Sequence, residues 1–245
     1  KKYGYRRGTV YRKLKELGIP VRNLSESHIS HPRTNFKDAL SEKSYLIGFR
    51  IGDLRVRKRG DTIRVDCGST KKAQIGLITK LFEKYGNIWI SKPNKRGAIQ
   101  IECALNTSFN FLLPKNPPPW VFRDTKYFFP FLAGFTDAEG CISISRGSAY
   151  YSLGNYKRNL LIQIKKQLLA DGIQCGSLRE SKIKGRSCFG KYFHNQNYWQ
   201  LSIHRKEALL LLFRRLAPFI KHPDKISAIE KAKKKSERDR QAETK

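Results

Sequence analysis

The chain has 245 residues, enough to bury the core of one or two domains. Its 50 basic residues against 20 acidic ones give a formal net charge of +30, far beyond what solubility asks for, and point to a polyanionic partner. Nucleic acid fits best. An anionic membrane fits less well and no membrane partner is expected, because the longest apolar runs, such as 208–213, are far too short to cross a bilayer. The cysteines, at 67, 103, 141, 175 and 188, are scattered without Cys-x-x-Cys spacing. They read as reduced thiols with no zinc site, in a cytoplasmic, nucleoid-associated or organellar setting. No methionine occurs, even at position 1, so the sequence reads as lacking its natural start.

In residues 1–24, Val10, Leu14 and Leu17 fall at helical spacing, Thr9 is placed to cap and Gly18 to stop. The stretch is similar to the second half of a helix-turn-helix, with 9–17 as the recognition helix. No helix precedes it to hold it in a groove, so a partial DNA-binding module and a basic amphipathic appendage both stay open. Residues 25–43, rich in Ser, His, Pro and Asn, read as a linker.

A first unit follows over 44–113. An apolar helix runs to Asp53, and Arg55, Arg57 and Arg59 alternate around Val56 at strand spacing. Gly60-Asp61 reads as a hairpin turn into a strand over 62–68. Ile75, Ile78, Leu81 and Phe82 make the apolar face of a helix ending at Gly86. Strands at 87–91 and 98–105 flank a turn, and a short helix sits near 108–113. The prolines within 114–124 predict a stiff linker. A second unit over 125–235 repeats the order: helix to Glu139, strands at 141–146 and 150–154, helix at 160–169, strands at 175–183 and 198–204, helices at 206–216 and 223–235. The charged tail, 236–245, is expected to fray. The order predicts an α+β fold with antiparallel hairpins.

Two stretches organise both units. Leu46-Ile47-Gly48-Phe49-Arg50-Ile51-Gly52-Asp53-Leu54 aligns with Leu132-Ala133-Gly134-Phe135-Thr136-Asp137-Ala138-Glu139-Gly140 at an offset of 86 residues. Each carries two small residues four apart, hence on one helix face, and ends in a carboxylate. A Gly/Ala stripe lets two backbones approach closely. If Gly48/Gly52 meet Gly134/Ala138, then Asp53 and Glu139 lie side by side. Two such carboxylates repel, and hard divalent cations between them relieve that.

These stretches resemble the LAGLIDADG motif of homing endonucleases in the single-chain form with two motifs. The second copy matches nearly letter for letter. In the first, Ile51 stands where the pattern has its first Asp, and Leu54 where it has the final Gly, while Asp53 keeps the metal-binding position. The resemblance covers about 44–234. It implies two αββαββα repeats related by a pseudo-two-fold at the paired motif helices, antiparallel sheets facing DNA, and a monomer. It implies that Asp53 and Glu139, with the carbonyls of Gly52 and Ala138, bind Mg²⁺ or Mn²⁺. The activity implied is intron-homing endonuclease cleavage of both strands across the minor groove of a long specific target, leaving 3′ overhangs. The family places a lysine after the last short helix of each repeat, where Lys115 and either Lys221 or Lys225 stand.

On the strands, Arg55, Arg57, Arg59 and Arg64 suit guanine or phosphates, Gln100 and Gln200 adenine, and Asp66 and Glu102 cytosine N4. Ser143, Ser145, Ser202 and His204 share the polar faces of the second unit. Two other readings use the same scaffold: a DNA-binding regulator that does not cut, and an RNA-binding intron maturase.

Overall fold

The computed structural model describes residue 4 and residues 6–21, 31–145, 148–188 and 192–243, with side chains described except at 7 and 236–243. Helix α1 (Arg7–Glu16) begins two residues before Thr9, which does not cap it. Gly18, at φ 66°, ends it, as only a residue without Cβ does easily. Val10, Tyr11 and Leu17 stay exposed.

The linker expected over 25–43 takes a different form where it is described. Its residues 25–30 lie outside the described set, and residues 31–39 are stitched onto the first repeat. Arg33 Nη1 donates to Thr62 Oγ1 (2.5 Å) and Leu105 O (3.3 Å), and Thr34 N to Tyr85 O (2.9 Å). Phe36 packs edge-on against Phe109 and Phe111. Asp38 accepts from Lys84 and Tyr85. Polar composition concealed a strap whose few long side chains do the anchoring.

The first repeat runs α2 (Leu40–Gly52), β1 (Arg55–Arg59), β2 (Thr62–Ser69), α3 (Lys72–Phe82), β3 (Asn87–Ile90), β4 (Ile99–Leu105) and a 3-10 turn (Thr107–Leu112). A second 3-10 turn, Pro119–Phe122, lies in the proline-rich segment and buries Val121. The second repeat runs α4 (Thr125–Glu139), β5 (Gly140–Ser145), β6 (Ser148–Asn155), α5 (Arg158–Ala170), β7 (Arg179–Ser181), β8 (Ser187–Cys188), β9 (Tyr192–Phe193), β10 (Tyr198–Ile203), α6 (Lys206–Leu216) and α7 (Pro223–Glu243).

Both four-stranded sheets are antiparallel and have the same topology, β1-β2-β4-β3 and β5-β6-β10-β7. Alternation decides their faces. Ile63, Val65, Cys67, Ile101, Cys103 and Leu105 are buried under α3, while Arg64, Asp66 and Glu102 point the other way. The strand expected over 175–183 is shorter than expected, and the β8–β9 ribbon follows it.

The two motif helices pack through their glycines. A Cβ on Gly48 would overlap the Phe131 carbonyl oxygen, and one on Gly134 the Tyr45 carbonyl oxygen. Asp124 caps α4 by accepting from Lys126 N (2.9 Å). Leu54 in place of the motif's final glycine is buried, and β1 still starts directly after it, at Arg55. The tail expected to fray instead continues helix α7 as far as Glu243, consistent with its content of Lys, Glu, Arg and Ala, all good helix formers. Among the described residues no helix is long and apolar enough to cross a membrane.

Candidate active site

The close helix approach decides where the acids go. Asp53 is the C-cap of α2, and Glu139 is the last residue of α4. A Cβ added to Gly52 would overlap Ala138 Cβ and come within 2.8 Å of Glu139 Cγ, so the glycine leaves the room in which the second acid sits. Burial pushes the Asp53 carboxyl up to about 6, against the pull of Lys225 and Lys71. Burial, and then the charge of Asp53, push Glu139 up to about 7. Gln74 Nε2, from the first turn of α3, donates to Asp53 Oδ2 at 2.5 Å and fixes its orientation.

The three candidate lysines have different surroundings. Lys225 Nζ donates to the carbonyl of Gly140, the residue after Glu139, and burial lowers its affinity for a proton. Lys221 instead pairs with Glu42 at 2.5 and 2.6 Å and lies 4.4 Å over the Tyr45 ring. Glu42 is in the first turn of α2, about three turns from Asp53, so the Lys221 ammonium is directed away from the acids. Lys115 has an exposed side chain, and its carbonyl accepts from Lys157 Nζ.

Asp137, the other motif carboxylate, is 2% exposed and has a different task. Its Oδ2 accepts from Tyr45 Oη (2.6 Å), Lys221 N (2.7 Å) and His222 N (3.1 Å). It thereby ties the start of α7, and with it Lys225, to both motif helices. Ile51 occupies the matching place in the first repeat.

The outward faces of the two sheets differ in chemistry. In the first, Arg55, Asp66, Glu102 and Trp89 form one cross-strand row, and Arg57, Arg64, Ala104 and Asn87 the next. Arg59 lies opposite Thr62, and Gln100 opposite Gly68. Asp66 and Glu102 are engaged within the protein: Asp66 accepts from Arg57 (2.8 Å) and Glu102 pairs with Arg64 (2.9 Å), which aims both guanidinium groups. In the second sheet, Ser202 shares a row with Ser152 and Cys141, Ser143 lies opposite Tyr150, and Tyr150 stacks on His204 at 5.9 Å. Ser145 pairs with Ser148, and Gln200 with Gly154 and Arg179.

Sequence reasoning missed Gln74, Lys71, Trp89 and Tyr150. Trp89 had a signal, since alternation in Asn87–Ile90 puts it on the polar face, where it is 57% exposed. Gln74 had none, being one polar residue among several at the start of a helix.

Two αββαββα repeats joined through glycine-striped helices, each ending in an acid, make the LAGLIDADG fold. The structure is similar to I-DmoI crystallised in complex with DNA and Ca (TM-score 0.53, 16% identity, 79% of this chain and 99% of that one). It is similar to the homing endonuclease I-WcaI bound to its DNA recognition sequence (TM-score 0.53, 17% identity, 78% of this chain and 85% of that one). Full-length DUF199/WhiA from Thermotoga maritima also matches (TM-score 0.52, 17% identity, 82% of this chain and 63% of that one). In sequence, an uncharacterized protein of Methanocaldococcus jannaschii is 25% identical over 177 residues, 69% of this chain. The aligned part spans 63% of that relative's length. No protein-family model matches the sequence.

Proposed function

We propose that this chain is a site-specific, divalent-metal-dependent endonuclease that cuts both strands of DNA across the minor groove and leaves 3′ overhangs. The observation that carries the reading is the meeting of Asp53 and Glu139 at the base of the glycine-striped interface, both half-buried and both raised toward neutral pH. A structural helix pair gains nothing from two repelling acids at the base of its interface.

The donor set fits a hard cation. Asp53 and Glu139, with the carbonyls of Gly52 and Ala138, offer oxygen alone, which suits Mg²⁺ or Mn²⁺. Such a metal, when bound, supplies an activated water and stabilises the departing 3′ oxygen. The chain's own groups supply the rest. Gln74 orients Asp53, and Lys225 and Lys71 add positive charge beside the acids. The arginine rows hold phosphates or guanine edges, and the polar rows of the second sheet read bases. The partner is then a long duplex target, bound by one chain whose repeats each take half of it.

End-sequencing of genomic DNA incubated with the protein and Mg²⁺, beside Asp53→Asn and Glu139→Gln, tests the reading. Paired recurrent ends with 3′ overhangs, absent in both variants and in EDTA, are expected. Tight binding without enriched ends would move the reading to the non-cutting regulator or the RNA maturase. Normal double-strand cutting by either variant would show that the acids are misassigned.

A further inference from the structure

The two acids at the helix interface have different neighbours on the outward faces of the sheets. In the first sheet Gly68 lies opposite Gln100, and in the second Gly154 lies opposite Gln200. The two glycines hold matching places, and so do the residues two positions before each glutamine, Ala98 and Tyr198. A Cβ on Gly68 would come within 2.6 Å of the Gln100 side-chain oxygen, whereas one on Gly154 would overlap the Tyr198 hydroxyl oxygen. The second sheet lays a phenol over the spot that the first covers with an amide.

Register brings that phenol beside Glu139. Strand β5 pairs Cys141 with Ser152 and Gly140 with Leu153. One step back along the same register brings the end of α4, Glu139, level with Gly154, on which the Tyr198 hydroxyl rests. Burial, and then the charge of Glu139, push the phenol up, in keeping with that closeness. The ring is held in place. Tyr198 packs edge-on against Tyr156 at 5.2 Å, and Tyr156 Oη meets His194 Nδ1 at 3.1 Å. Tyr198 is half-buried, and no hydrogen bond among the described residues engages its hydroxyl.

A phenol suits this place for a reason that a lysine does not share. At neutral pH it keeps its proton and donates a hydrogen bond without a positive charge that would repel a cation held between the acids. Phosphate oxygens of DNA accept from tyrosine hydroxyls. A ring already fixed by its neighbours loses little freedom when it makes such a bond.

We propose that Tyr198 is a further catalytic residue, donating a hydrogen bond to a non-bridging oxygen of the phosphate cut beside Glu139, and that Ala98 leaves the phosphate cut beside Asp53 without such a donor. The inference rests on the cleavage function proposed above and adds a difference between the strands: one depends on Tyr198 and the other does not.

The test places the target recovered by end-sequencing in a duplex with a different label on each strand, and follows single-turnover cutting by the full chain in Mg²⁺. Tyr198→Phe keeps the ring against Tyr156 and removes only the hydroxyl. It should slow one strand by roughly tenfold to a hundredfold, the range for a hydrogen bond to a charged group. The other strand should be cut at the wild-type rate, so that nicked duplex accumulates. Affinity for the duplex in EDTA should be unchanged, since many other contacts hold it. Tyr156→Phe, which loses the bond to His194 and keeps both rings, should cut both strands as the wild type does. Equal slowing of both strands by Tyr198→Phe, or none, would overturn the proposal and leave the endonuclease reading intact. A loss from Tyr156→Phe as large as that from Tyr198→Phe would also overturn it, by placing the effect in the aromatic stack. A wild-type protein that binds duplex DNA and yields no recurrent ends would remove the endonuclease reading and the role of Tyr198 together.

Discussion

Asp53 and Glu139 are held where their charge is disfavoured, and pH should reveal it. Both take up protons more readily folded than unfolded, at about 6 against 3.8 for Asp53 and about 7 against 4.5 for Glu139. Between those limits the folded state binds more protons, so the stability that these two carboxyls contribute without metal is full below about pH 4 and is lost as pH rises to about 7. The Asp53 share is roughly 2 kcal/mol after allowance for solvent screening. Asp53→Asn should therefore raise the melting temperature in EDTA at pH 8 and flatten its fall from pH 5, and Mg²⁺ should stabilise the wild type more than the variant. A melting temperature that rises with pH in EDTA would contradict this placement of the acids. Asp137 acts at a distance, through the two backbone N–H groups that it holds at the start of α7. Lys225→Met should slow cleavage on the order of tenfold or more. Asp137→Asn, which keeps one acceptor oxygen, should slow it less. Combined with Lys225→Met it should add almost nothing, because both act through one ammonium. Additive losses in this double-mutant cycle would reduce Asp137 to a stabilising role alone.

At the scale of the elements, the motif helices are governed by the space that glycine leaves. Gly134→Val places branched carbons where the Tyr45 carbonyl stands, and overpacking of this kind costs about 1–3 kcal/mol or more. Cleavage should fall with stability, because the same approach brings the acids together. Gly76, exposed in α3 with open space around it, provides the contrast: Gly76→Ala should stabilise by roughly 0.5–1 kcal/mol and leave cutting unchanged. Chemical denaturation of the two variants checks both signs. These helices and the strand faces were legible because period and spacing are local properties: small residues four apart, and Ile63, Val65 and Cys67 alternating with Arg64 and Asp66. The strap at 31–39 was not, since Arg33 and Phe36 look like any loop residues until Thr62 and Phe109 are beside them. Neither was the directing of Lys221 to Glu42, which depends on a fold that brings together residues 179 positions apart. The β8–β9 ribbon escapes a reading by pattern, because its strands are two residues each and leave no room for an alternation to show.

At the scale of the molecule, the net charge of +30 is not shared evenly between the two sheets that the proposed function sets against DNA. The first carries Arg55, Arg57, Arg59 and Arg64 on its outward rows, with Asp66 and Glu102 paired to two of them; the second carries Arg179 among Ser143, Ser145, Ser202, Gln200, Tyr150 and His204. A cation on a phosphate releases a counterion whatever the sequence, whereas a hydroxyl or amide on a base edge discriminates without adding to salt dependence. The two halves of the target should therefore be held by different physics. Replacing Arg55, Arg57 and Arg59 by alanine should flatten the slope of log K against log salt by up to about 3, if all three meet phosphates. Replacing Ser143, Ser202 and Gln200 by alanine should leave that slope unchanged and relax base preference in the half bound by the second repeat. Salt titrations of both variants on one duplex, with selection from a randomised target, would separate the two contributions. If the serine and glutamine variant changed the slope as much as the arginine one, the second sheet would be holding phosphates too, and sequence reading would have to lie elsewhere.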